Sequence, residues 1–180
     1  MIPALGTPPA DARIHLLNQL GMDRPDPQLD ALATELAAEA GAPYAIVNAF
    51  NPATGRQEFV GLSAPPGNGL PQVDRSMAPD WGYCPEVARR TTALVLPDVF
   101  AKPRFAVNPV VDQLGIRTYA GAPLIHTLPD GSGGEVFGTV CFVGLERMDR
   151  STGQASLALI KQYRDRVQQL VYQRAGIPLP

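Results

Sequence analysis

The chain has 180 residues, with 15 basic and 17 acidic side chains and a formal net charge of −2. This charge argues against nucleic-acid binding, because a phosphate backbone is bound through a strongly basic surface. The apolar runs are too short to span a bilayer, and no secretory signal is visible, so we expect a soluble cytoplasmic domain without a membrane partner. Two cysteines, Cys84 and Cys141, are too few for a disulfide framework.

The N-terminal part of the chain is predicted to be helical after a short tail. The Pro-rich residues 1–10 predict a flexible tail, and a single domain is expected over residues 11–176. Asp11 is a candidate N-cap for a first helix that Gly21 ends. The spacing of leucines predicts a second helix over residues 27–40.

The hydrophobic period then changes to that of β-strands. Residues 44–50 and 57–62 predict a hairpin around a turn-rich connection. A long turn-rich segment, residues 63–79, follows, and loops of this length in compact domains are usually functional or mobile. A short helix that starts at Pro79 or Asp80 and runs to about Arg90 is predicted next, followed by a brief strand over residues 93–96.

The C-terminal half completes the predicted sheet. Residues 99–117 predict a loop with one helical turn, and residues 118–126 and 136–143 predict two strands joined by a Gly-rich hairpin turn. A final amphipathic helix is predicted over residues 152–174. Strands joined by tight turns are antiparallel, so the sequence predicts an α+β fold with a central antiparallel sheet, helices on both faces and long terminal helices.

Side chains that could perform catalysis are scarce. The two histidines, His15 and His126, are not spaced as a pair of metal ligands, and neither lies beside a nucleophile in a known motif. We therefore predict no catalytic residue and no metal site. The glycines at residues 131–134 lack the phosphate-loop pattern and predict a hairpin turn instead.

The densest cluster of aromatic and charged residues lies between residues 81 and 124. A small-molecule cavity needs apolar walls and a few orienting polar groups, and this segment offers both. The aromatic side chains could equally fill the core, and we favour a loop-stapling ion pair between Asp98 and Arg104. Arg117 would favour an anionic ligand. The candidate ligand-binding residues are Trp81, Tyr83, Cys84, Asp98, Arg104, Phe105, Arg117 and Tyr119.

Four motifs in this half of the chain resemble the GAF domain family. They are LVLPD at residues 94–98, PRFAVNPVV at 103–111, IRTYAGAPL at 116–124 and FGTVCF at 137–142. The resemblance covers about residues 27–172. It implies a central antiparallel sheet with a small-molecule cavity between that sheet and residues 80–117.

The resemblance also allows several ligand classes to be compared with this chain. Phytochrome-type bilin carriers have a cysteine where this sequence has Val107 and Asn108, and haem-binding relatives have a histidine before the strand that begins near Thr118. Neither haem nor bilin is therefore expected as a cofactor. The signature of the cyclic-nucleotide sites is not found in this sequence either. Cys84 resembles one cysteine of the free methionine-(R)-sulfoxide reductases, but the partner expected near residues 105–108 is missing.

These observations lead to one interpretation and two alternatives. We expect a stand-alone sensory or regulatory GAF domain for signal transduction. An unidentified small molecule would order residues 63–79 and 99–117 and shift the packing of the terminal helices. The length of the final helix suggests a homodimer, and the signal could also pass to a signalling protein partner. The alternatives are a thiol enzyme that reduces free methionine sulfoxide, with Cys84 as its catalytic residue, and a ligand-free dimerisation scaffold.

Overall fold

The computed structural model describes residues 9–67 and 69–179 and begins with two helices. Helix α1 spans Ala10–Leu20 and helix α2 spans Pro27–Ala40. The carboxylate of Asp26 caps α2 by accepting hydrogen bonds from two backbone amides of its first turn, at 2.8 and 3.0 Å. The prediction of Asp11 as an N-cap is wrong, because α1 begins one residue earlier and Asp11 lies inside its first turn. Most of the predicted flexible tail, residues 1–8, lies outside the described residues.

The centre of the molecule is a six-stranded, wholly antiparallel sheet in the order β3-β2-β1-β6-β5-β4. The sequence had predicted five strands. The sixth, β3, is a two-residue strand within the long turn-rich segment, and it pairs with the start of β2. Such a short strand has no periodicity of its own, so only its partner reveals it. The strands are β1 Tyr44–Asn51, β2 Arg56–Leu62, β3 Ser76–Met77, β4 Leu94–Leu96, β5 Thr118–Thr127 and β6 Gly134–Gly144.

The remaining helices lie between the strands and at the C-terminal end. The segment predicted as a loop with one helical turn contains a 3-10 turn, Val99–Ala101, and two short helices. Prolines at the first positions of these helices explain the difference, because proline favours the N1 position of a helix. The helices are α3 Cys84–Arg90, α4 Pro103–Ala106, α5 Pro109–Leu114 and α6 Gly153–Ala175. The predicted start of α3 at Pro79 or Asp80 is wrong, because the chain turns before the helix and Gly82 has a positive φ.

The sheet separates two hydrophobic cores. On one face, α1, α2 and α6 pack against alternate residues of the central strands, such as Val47 and Val140. On the other face, the segment from α3 to α5 packs against the intervening residues, such as Ile46 and Cys141. The predicted α+β fold with helices on both faces is therefore confirmed. Ile160 of α6 is fully buried against the sheet, and burying a side chain of this size stabilises the fold by about 1.5–3 kcal/mol.

Within the described residues, no helix combines the length and the apolar character needed to cross a membrane.

Candidate functional site

A small cavity lies between the sheet and the segment that carries α3, α4 and α5. Its volume is about 40 Å³, which is room for two or three water-sized groups. Its walls, all within the described part of the chain, include no Asp, Glu, Lys or Arg. The lining residues are Tyr44, Ile46, Gln57, Phe59, Val73, Met77, Trp81, Gly82, Tyr83, Cys84, Val110, Leu114, Ile116, Tyr119, Cys141 and Val143.

An outer groove of about 390 Å³ adjoins this cavity. Val73, Met77 and Trp81 belong to the walls of both, so they stand between the cavity and the groove. The groove adds charged side chains that the cavity lacks, among them Arg56 and Asp74. A guest larger than a few water molecules therefore needs the shared wall to move, and would then meet charged groups only at its outer end.

The wall of the cavity formed by β3 and the residues before it is anchored to the rest of the fold. The Tyr44 hydroxyl donates to the carbonyl of Pro71 at 2.5 Å. Arg75 forms a two-pronged ion pair with Asp30 of α2, at 3.0 and 2.8 Å. These contacts hold the second half of the segment 63–79 against the sheet.

Buried aromatic side chains form the opposite wall of the cavity. The ring of Tyr83 meets those of Phe105 and Tyr119 edge-on, with centroids 5.8 and 5.3 Å apart. The Tyr83 hydroxyl donates to the backbone carbonyl of Phe105 at 2.7 Å, and burial raises the pKa of Tyr83 to about 12. These predicted site residues thus come together in the core. Tyr83 and Tyr119 also line the cavity, whereas Phe105 lies outside its walls. Trp81 is half-buried at the cavity wall.

A side chain that the sequence analysis did not single out fixes the turn before α3. Gly82 has a φ of 73°, in the left-handed region that glycine adopts without strain. Its N–H donates to Asn108 Oδ1 at 2.9 Å, and Asn108 Nδ2 donates to its carbonyl at 2.8 Å. The same Oδ1 caps α5 by accepting from Val110 N at 3.3 Å. Asn108 therefore clamps the turn that presents Trp81 to the beginning of α5.

Two thiols meet on the sheet side of the cavity. Cys84 Sγ, in the first turn of α3, lies 3.8 Å from Cys141 Sγ on β6, and 3.3 Å from the Tyr119 hydroxyl. Both thiols are free and buried. Hydrogen bonds from Cys141, Thr139 and Tyr119 lower the pKa of Cys84, against the opposing effect of burial. Cys84 and burial together raise the pKa of Cys141.

The charged residues predicted for ligand orientation lie outside the cavity walls. The expected Asp98–Arg104 pair is wrong, because Asp98 instead accepts from Arg117 Nε at 2.7 Å and Nη2 at 3.0 Å. This two-pronged contact lowers the pKa of Asp98 to about 2. Arg104 is exposed and lies 3.4 Å from Glu86. Phe100, an aromatic residue of the same segment, is half exposed beneath the Arg117 guanidinium.

A buried polar network that begins at Gln57 in the cavity wall was also missed from the sequence. Gln57 Nε2 donates to the carbonyls of Ala78 and Trp81, at 2.8 and 2.7 Å, which fixes its Oε1 as the acceptor for Asn48 Nδ2 at 3.1 Å. The side-chain oxygen of Asn48, Oδ1, is then left without a partner among the described residues. No local pattern indicates this network, because its members come from separate strands and a loop.

The sequence match to the GAF domain extends over residues 24–169, most of the chain. The chain belongs to the GAF domain family. A comparison with curated proteins finds no match.

Solved structures with the same fold include GAF domains of different uses. The GAF domain of an Acinetobacter phosphoenolpyruvate-protein phosphotransferase is 13% identical, with a TM-score of 0.58 and 94% of each chain covered. Free methionine-R-sulfoxide reductase from Neisseria meningitidis, solved with its substrate, is 16% identical with a TM-score of 0.56, covering 95% of this chain and 98% of that one. A phycoerythrobilin-bound GAF domain of a cyanobacterial phytochrome is 16% identical with a TM-score of 0.59, covering 93% and 92%. At these identities the likeness shows the fold that sensors and an enzyme share.

Proposed function

We propose that this GAF domain senses a small, largely uncharged molecule and regulates other proteins through dimerisation or direct contact. The observation that carries the proposal is the cavity between the sheet and α3–α5. Its walls are largely apolar and contain no Asp, Glu, Lys or Arg. A buried ion would need a partner in such a site, since transferring an unpaired charge from water into an apolar site is costly. The anionic ligand expected from Arg117 is therefore less well supported than a neutral one, because that side chain is already paired with Asp98.

The size of the cavity supports a small guest. About 40 Å³ is far below the 300–1,000 Å³ typical of drug-sized sites, and this supports a guest much smaller than a tetrapyrrole such as haem or bilin. A guest of a single ring would require Trp81 and Met77 to move and join the cavity to the outer groove. Binding of the guest would therefore favour the state in which the cavity and the groove are joined over the closed state.

Strand β6 connects the cavity side of the sheet to the side covered by α1, α2 and α6. Cys141 faces the cavity, whereas its neighbours Val140 and Phe142 belong to the core beneath α1, α2 and α6. A displacement of the sheet on the ligand side would reach α6 through these alternating side chains. Leu32 of α2 and Leu170 of α6 are half-buried and line a surface groove between these two helices, which would form part of a dimer or partner contact.

The experiment compares two probes of similar shape and different charge, benzyl alcohol and benzoate. Trp81 is the only tryptophan of the chain and lines the cavity, so its fluorescence reports occupancy. We expect a saturable change with benzyl alcohol and at least tenfold weaker binding of benzoate. Equal or tighter binding of benzoate, or no saturable change with either probe, would contradict the proposal.

A cavity-filling variant and its matched control test the location. Val110 lines the cavity and is 4% exposed, whereas Val107, in the same segment, is 78% exposed. Val110→Phe should abolish binding of benzyl alcohol while the protein stays folded, and Val107→Phe should bind as the wild type does. Light scattering with and without the probe then tests dimerisation, and a mass of one chain at micromolar concentration in both states would count against it.

A thiol reductase remains a second candidate because Cys84 has a thiol neighbour. The neighbour is Cys141 on β6, and the residues at 105–108 supply no cysteine. Turnover of free methionine sulfoxide with dithiothreitol, measured by mass spectrometry, tests this candidate. Full activity in a Cys84→Ser variant would remove the assigned nucleophile.

A further inference from the structure

The two cysteines of the chain, 57 residues apart in sequence, lie side by side in the wall of the cavity. Their sulfur atoms are 3.8 Å apart, and both side chains are more than nine-tenths buried. A disulfide needs sulfur atoms about 2.05 Å apart. Closing the gap takes a movement of about 1.8 Å, which small shifts of the two side chains and of one backbone segment can supply.

The two sides of this gap differ in their freedom to move. Cys141 is held between two neighbouring strands, opposite Ile46 on β1 and Gly121 on β5. Cys84 begins a short helix that directly follows the turn at Gly82. Approach of the sulfur atoms would therefore draw the start of α3 toward the sheet and leave the sheet in place.

The surroundings of Cys84 suit a reactive thiol. The reactive form of cysteine is the thiolate, and the hydrogen bonds from Cys141, Thr139 and Tyr119 stabilise that form. The raised pKa of Cys141 keeps that residue as the neutral thiol partner. Both sulfur atoms line a cavity with room for a molecule of two or three water-sized groups, which is enough for hydrogen peroxide.

We propose that Cys84 and Cys141 are a peroxide-reactive pair that closes to an intramolecular disulfide. Cys84 thiolate attacks one oxygen of the hydroperoxide, the O–O bond breaks, and the leaving oxygen takes up a proton as water or an alcohol. Cys141 then attacks the sulfur of the Cys84 sulfenic acid, the S–S bond forms, and the hydroxyl leaves with the Cys141 proton as water. In total, two thiols are oxidised, and one hydroperoxide is reduced to water plus water or an alcohol.

The disulfide would alter the cavity directly. It would replace the contact between Cys84 and the Tyr119 hydroxyl, and would fasten α3 to the central strand of the sheet. Since Trp81 lies three residues before Cys84 on the cavity wall, its fluorescence should change on oxidation. This inference does not rest on ligand binding, so it can stand or fall apart from the proposed sensor function.

The test treats the reduced, folded protein with hydrogen peroxide and then alkylates the remaining thiols in denaturant. We expect alkylated thiols to fall from two to none in the monomer, and digestion with trypsin to link residues 76–89 to residues 118–147. In Cys141→Ser, dimedone should trap a sulfenic acid on Cys84, whereas Cys84→Ser should react at least tenfold more slowly at Cys141.

Two tyrosine variants separate a chemical role for the Tyr119 hydroxyl from a structural one. Tyr119→Phe should slow formation of the disulfide severalfold, because it removes a donor to Cys84. Tyr172→Phe is the matched control, since that buried hydroxyl contacts His126 on the other side of the sheet. The proposal is overturned if peroxide leaves both thiols free, if the disulfide links two chains rather than one, or if it forms only in the unfolded protein.

Discussion

Asn108→Ala should remove one of the larger polar contributions to the stability of the cavity wall. The amide side chain exchanges two hydrogen bonds with Gly82 and also caps α5. Each hydrogen bond contributes about 1 kcal/mol net, and loss of an N-cap costs about 1 kcal/mol, so we expect destabilisation of about 3 kcal/mol. For a domain of this size the corresponding fall in Tm is roughly 6–12 °C.

Urea unfolding, followed by circular dichroism and by the fluorescence of Trp81, measures this effect. Asn108→Asp keeps the acceptor for Gly82 N–H but places a carboxylate oxygen beside the Gly82 carbonyl, and should lose at least half as much stability as Asn108→Ala. Asn18→Ala is the control, because Asn18 is exposed on α1 and should change stability by no more than about 0.5 kcal/mol. A loss below about 1 kcal/mol for Asn108→Ala would refute the clamp as a stabilising element.

Three further predictions follow from other contacts. Gly121→Ala places a Cβ where the ring and hydroxyl of Tyr119 lie, so it should destabilise the fold by about 1–3 kcal/mol in urea unfolding, and a crystal structure with an unmoved Tyr119 ring would contradict this. Folding lowers the pKa of Asp98 to about 2 from an ordinary value near 3.8, so the Arg117 contact stabilises the protein above pH 4 and its effect is lost as the pH falls toward 2. The difference in urea midpoint between wild type and Arg117→Gln should be present at pH 6 and smaller at pH 3, and a constant difference would contradict that account. Ile160→Ala should cost about 2–5 kcal/mol through the cavity it leaves beneath α6, and a calorimetric Tm close to that of the wild type would show that the core does not depend on this contact.

The elements that are long enough to show a hydrophobic repeat could be predicted from the sequence. Helices α2 and α6 and strands β1, β2, β5 and β6 agree with the predicted segments to within two residues at each end. Their side chains repeat at the spacing of a buried face, so each segment carries its own signal. Strand β3 and the short helices α4 and α5 differ from the prediction because two to six residues are too few to show such a repeat.

The candidate site was predictable in its location and less so in its chemistry. The aromatic residues Tyr83, Phe105 and Tyr119 do meet beside the cavity, in the segment that the sequence singled out. Arginine partners were not predictable, because a long side chain can pair with any carboxylate that the fold brings within reach. Asp98 pairs with Arg117, 19 residues away, and not with Arg104, which is nearer in sequence.

Composition and periodicity by themselves determined that this chain forms an antiparallel sheet covered by helices, since those features depend on the local repeat of apolar residues. Only the tertiary structure decided that Cys84 faces Cys141 and that Asn108 clamps Gly82. These contacts join residues 57 and 26 positions apart. Their geometry depends on how the helices pack against the sheet, and no local pattern along the chain specifies that packing.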